Sequence, residues 1–175
     1  MKSRILVSIP IFIVVVAVIF IFASCDNNGG AVSYFTYDGN TYELATAVIE
    51  RGGENTGPGE SGYYVNFAAA SSGMDIINLT GTGDGLSLDL NSSSYDLVAG
   101  TYTWSTTNVE NTVVDAMIVL NYNLATDEGT THFATTATVT VSVSGDTYTV
   151  EFTLTLENAK TVKGIWIGPA TVVDV

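Results

Sequence analysis

The chain has 175 residues with 18 acidic and five basic side chains, one histidine and one cysteine, and a formal net charge of −13. So acidic a chain lacks the lysines and arginines that a phosphate backbone demands, which excludes nucleic acid as a partner. A single cysteine excludes an internal disulfide, so the fold must rest on its core.

Residues 1–24 read as an export signal. Lys2 and Arg4 give a positive start, Ile5 to Phe22 are apolar apart from Ser8 and Pro10, and the small pair Ala23-Ser24 precedes Cys25. The stretch Phe22-Ala23-Ser24-Cys25 resembles the lipobox of bacterial lipoproteins, with Phe in place of the usual Leu. That resemblance implies a signal helix cut before Cys25, and acyl chains such as palmitate on the Cys25 thiol as the membrane anchor. Each buried CH₂ contributes about 0.8 kcal/mol, so two or three chains hold firmly. The alternative is an uncleaved anchor helix, because the apolar run reaches spanning length. Cleavage leaves 175 less 24, or 151, residues; three basic against 18 acidic side chains then give a net charge of −15. That is one domain.

Residues 25–31, with Asp26-Asn27-Asn28-Gly29-Gly30, form a polar, glycine-rich tether. Residues 32–175 form a single all-β domain. Ser33 to Glu50 predicts a hairpin around Asp38-Gly39-Asn40. With Gly39-Asn40 as its loop, Tyr37 faces Tyr42, Phe35 faces Leu44, and the second strand runs to Ile49. Arg51 to Ser61 is a loop. Gly62 to Ala70 is a strand with Tyr63, Val65 and Phe67 on one face. Met74 to Leu79 is a short strand, Thr80 to Gly85 a glycine-rich turn, and Leu86, Leu88 and Leu90 the inward face of another strand. Asn91 to Ser94 is a turn. A strand follows with Tyr102 and Trp104, and Val113 to Tyr122 is a strand apolar enough for burial on both faces. Leu124 to His132 is a loop.

The strongest pattern lies between Ala134 and Ile167. Val139, Val141 and Val143 alternate with Thr and Ser; Tyr148, Val150, Phe152, Leu154 and Leu156 alternate with Thr and Glu. A two-residue turn at Gly145-Asp146 pairs Val143 with Tyr148, Val141 with Val150 and Val139 with Phe152. A three-residue loop Asn158-Ala159-Lys160 pairs Leu156 with Val162 and Phe152 with Trp166. The predicted architecture is an antiparallel meander of about ten strands, a β-sandwich or a flattened up-and-down barrel.

Four segments, Phe35 to Leu44, Gly100-Thr101-Tyr102, Val141 to Phe152 and Lys160 to Gly164, together resemble all-β lipoproteins of Bacteroidetes-type bacteria whose function is undescribed. The resemblance implies a cell-envelope location, on the periplasmic or surface face of an outer membrane. It implies no activity and no site residues.

For catalysis, His132 is the only histidine, and no nucleophile elbow accompanies it, so it reads as a solvated loop residue and no catalytic residue is assigned. One histidine and an acylated cysteine cannot make a zinc site. Asp84 and the pair Asp127-Glu128 occupy the loops best suited to calcium, though neither loop has EF-hand spacing; solvated turn acids are the ordinary reading, and no cofactor is expected. Trp104 and Trp166 read as core. Tyr63-Tyr64 is the candidate ligand-binding pair, since neighbours on a strand point to opposite faces and one should be exposed. The expected function is a lipid-anchored, non-enzymatic binding or envelope module for a glycan or a protein partner. The alternatives are a carboxylate-dependent hydrolase of envelope polymer, or an assembly protein using an exposed strand edge.

Overall fold

A computed structural model describes residues 32–175. The expected signal helix, the tether and Cys25 lie outside the described residues. The domain is all-β, as expected. β1 (Ser33–Tyr37) and β2 (Asn40–Leu44) form the first hairpin. Its loop is Asp38-Gly39, one residue earlier than predicted, because both positions need positive φ: 52° at Asp38 and 80° at Gly39. Phe35 therefore faces Tyr42, their rings stacked at 4.9 Å, and Tyr37 faces Asn40.

The strand expected to run on to Ile49 breaks at Ala45. There the chain bends into β3 (Thr46–Glu54), which pairs with β4 (Tyr63–Ala70) and not with β2. β5 (Met74–Asp75) is a two-residue strand folded over the start of β6 (Thr80–Ser92). β6 absorbs the predicted turn Thr80 to Gly85 whole and the first half, Asn91-Ser92, of the turn predicted after it. Its glycines look like turn residues in sequence, but they are where another backbone lies close. A Cβ on Gly81 would strike the Gly73 carbonyl, and one on Gly83 the Ser71 and Met74 side chains.

β7 (Gly100–Trp104) and β8 (Thr112–Asn123) run parallel to each other. Only the inward face of β8, with Val113, Ala116 and Ile118, is fully buried. The predicted loop 124–132 is a tight turn followed by the long strand β9 (Glu128–Ser144), so His132 sits on a strand. β10 (Thr147–Leu156) pairs with β9 in the predicted register: Val143 with Tyr148, Val141 with Val150, Val139 with Phe152. β11 (Thr161–Gly168) pairs Phe152 with Gly164 and Leu154 with Val162. Its three-residue loop is Glu157-Asn158-Ala159, with the Leu156 amide donating to the Lys160 carbonyl at 2.9 Å. Both corrected registers move by two, so every side chain keeps its predicted face. β12 (Thr171–Asp174) completes the chain order.

Along the sheet the order is β12-β3-β4-β6-β8-β7-β9-β10-β11-β1-β2, with β5 on β6 and a further β8–β9 pairing. The sheet curls into a half-barrel of mixed direction, since β12–β3 and β7–β8 are parallel. It is one continuous sheet, closer to the predicted barrel than to a sandwich. β9 makes the curl possible: its first part pairs with β8, and from Ala134 on it pairs with β10. Where the partner changes, a bulge exposes both Thr135 and Thr136 and returns Ala134 and Ala137 to the core. The core joins Phe35, Phe67, Leu88, Ile118, Tyr102 and Phe152 across the half-barrel.

Candidate functional site

Two strands leave one side of the half-barrel for the other. β2 does so through Ala45, and β11 through Pro169-Ala170 on its way to β12. Between these bends the sheet leaves a groove of about 520 Å³. Ser33, Glu43, Leu44, Trp166, Pro169 and Ala170 contribute to its walls. Trp166 is 5% exposed, with its indole N–H donating to the Gly168 carbonyl at 3.2 Å. It lies within the core, as the sequence predicts, and is no exposed stacking platform. Ser33 takes the place of a backbone rung. Its hydroxyl accepts from the Ile167 amide at 2.8 Å and donates to the Ile167 carbonyl at 3.3 Å, which fixes the groove's inner edge. Among the described residues Glu43 is the only carboxylate on the lining. Val32, the first described residue, also lines the groove.

Neither member of the Tyr63-Tyr64 pair is fully exposed. Tyr63 meets the Tyr95 ring edge-on at 6.2 Å. Tyr64 lies across the outer face of β4 and β6, where its hydroxyl donates to Asp89 at 3.1 Å. Burial, reinforced by the Asp89 carboxylate, pushes the Tyr64 phenol well above its ordinary value. The aromatic platform expected from sequence is thus two half-buried rings, each with a partner. Asp89 also accepts from Asn66 at 2.5 Å and lies directly across from Asp115 over a dimple of about 30 Å³, room for one water. These two acids are on the outer face, away from the groove.

The calcium candidates do not converge. Asp84 accepts from the Asn121 amide at 2.9 Å, Asp127 accepts from the Tyr122 hydroxyl, and Glu128 accepts from Thr126 at 3.4 Å. Among the described residues no three of His, Cys, Asp and Glu come together as a metal site would require. Cys25 lies outside the described residues.

One cluster was not predicted. His132 pairs with the buried Ile118 across β8 and β9 and so faces inward, toward Tyr37, which is 7% exposed. The Tyr37 hydroxyl lies 3.1 Å from His132 Nε2 and accepts from the Asn158 amide at 2.9 Å. Lys160 caps the cluster, 2.7 Å from Asp38 and 5.5 Å from the Tyr37 ring centroid. Strict alternation carried back from Val139 would have placed His132 outward; the bulge at Thr135-Thr136 reverses the parity and turns it inward. The Tyr37 hydroxyl ties Asn158 to His132, and Lys160 ties the same turn to Asp38, which makes the cluster a lock between two hairpin turns.

Comparison with known protein families, curated proteins and solved structures finds no match to this chain.

Proposed function

We propose that this protein is an exported, lipid-anchored binding domain of the cell envelope, held through Cys25 and using the groove between the two bends to take a glycan or an extended protein segment. The supporting observation is the groove's place in the chain. Val32 lines it, seven residues after Cys25. Seven residues reach at most about 24 Å, so the groove works close to the anchoring membrane. Its mixture of the Glu43 carboxylate, the exposed Thr46 and Thr171 hydroxyls and apolar side chains suits a neutral polyhydroxylated ligand or a peptide backbone. Binding is favoured over hydrolysis because glycoside cleavage by carboxylates takes two of them. Among the described residues the groove offers Glu43 alone, and Asp89 with Asp115 lies on another face.

Anchoring is tested by feeding an alkynyl palmitate analogue to expressing cells. Label should enter the protein and be lost in Cys25→Ser; label retained in that variant overturns the anchor. Binding is tested by titrating purified envelope polysaccharide and following Trp166 fluorescence. A saturable change that Ala45→Arg abolishes, with the melting temperature unchanged, supports the groove, since Ala45 lines it and is exposed.

A further inference from the structure

The strand β12 is held unlike any other. It lies parallel on β3, with Thr171 opposite Val48 and Asp174 opposite Arg51. It buries little: three of its four residues are exposed and only Val173 is half-covered. Beneath it the β3 edge is solid, with Val48 and Ile49 in the core and β4 paired on the far side. What fixes β12 is one side-chain receptor. Arg51 holds Asp174 through Nε at 2.9 Å and through its second guanidinium arm at 2.8 Å, and it holds Asp96 at 2.5 Å. Tyr95 donates to the same Asp174 oxygen at 3.0 Å, and its ring lies 4.9 Å from the guanidinium. The Val175 amide adds a bond to the Arg51 carbonyl at 3.1 Å. Arg51 is one of only three cations after Cys25.

These features separate a stable acceptor from a removable donor. When β12 leaves, β3 still has its β4 ladder on the far edge, and Arg51 still has Asp96 and the Tyr95 ring. β12 itself is held by a short ladder and an exposed ion pair, so its opening belongs to the low-free-energy end of local unfolding. The hinge is two residues, Pro169-Ala170, and short hinges favour exchange between copies. We propose that the β3 edge is a strand-acceptor site whose partner is the β12 strand of a second copy of this chain, recognised by a carboxylate placed opposite Arg51. Every contact in the exchanged pair repeats one made within the single chain. The equilibrium is therefore set by concentration and by repulsion between acidic copies. Added salt screens that repulsion and loosens the clasp, so it speeds exchange.

The test is a disulfide trap in a Cys25→Ser background. Glu50 and Val173 are direct partners across the ladder, within the reach of a disulfide. A chain with both Glu50→Cys and Val173→Cys should cross-link to itself, which verifies the register. Mixing a Glu50→Cys chain with a Val173→Cys chain should give a dimer that reductant dissolves. Adding Arg51→Ala to both should make it accumulate several-fold faster. A mixture of Glu50→Cys with Thr138→Cys, on the outer face of β9, sets the background. If the double-cysteine chain closes internally while the mixed chains yield no more dimer than that background, the proposal is overturned.

Discussion

The phenol of Tyr37 and the imidazole of His132, 95 residues apart in sequence, meet at 3.1 Å and bind the first hairpin to β9. Asn158 donates to the same hydroxyl, so one phenol oxygen joins the β10–β11 turn to the His132 ring. Tyr37→Phe would keep the ring and leave the Asn158 amide and the His132 nitrogen without their partner. The expected loss is about 1–3 kcal/mol, read as a lower denaturant midpoint with an unchanged slope. A midpoint equal to that of the native chain would show the cluster to be solvated.

Ala159 closes the β10–β11 loop with φ at 61°, a left-handed position that costs an L-residue about 1–2 kcal/mol. Glycine is the residue a three-residue hairpin loop ordinarily places there. Ala159→Gly should stabilise the domain by roughly 0.5–1 kcal/mol, because strain relief exceeds glycine's extra entropy in the unfolded chain. Thermal melting decides it: a lower melting temperature would mean that the methyl group contributes more than its backbone costs.

Gly164 carries the opposite constraint. It lies directly opposite Phe152, whose ring folds over it, and a Cβ there would collide with that ring and with the Tyr34 carbonyl. Both are fixed, one in the core and one in the β1–β11 ladder. Gly164→Ala should therefore cost at least about 1–3 kcal/mol, seen as a fall in unfolding midpoint and earlier exchange of β1 amides. Unchanged amide protection along β1 would refute the collision.

Period-two alternation carried the inward face from Ala137 of β9 through β11, because a slip of one would bury Thr and expose Val, but not the first part of β9, beyond the bulge. It did not carry the turn positions, which depend on left-handed residues such as Asp38 and Ala159. Glycine misled most at β6. Gly81 and Gly83 read as turn residues, yet they lie in a strand pressed by the Gly73 carbonyl and by the Ser71 and Met74 side chains. The bends at Ala45 and Pro169-Ala170 have no local signature, since they depend on which strands are already paired elsewhere. The groove they create was therefore invisible in the sequence, as were the Arg51 clasp and the Tyr37–His132 contact, each made between distant segments. Tyr63 and Tyr64 were legible as a pair but not as two rings already occupied by Tyr95 and Asp89.

Tyr64 makes alkaline stability a direct probe of that occupancy. Burial, helped by Asp89, holds its phenol protonated above the ordinary tyrosine range, and burial does the same for Tyr102. A raised folded-state value means that the unfolded chain gives up its proton first. The stability from these groups is thus fully present below about pH 10 and is lost as pH rises beyond it. Tyr64→Phe removes one of these titrations. Its denaturant midpoint should be lower than native at about pH 8, because Asp89 loses a donor, yet fall less between about pH 8 and about pH 11. An identical fall in both proteins would show that the Tyr64 hydroxyl is open to solvent and that Asp89 is held by Asn66 alone.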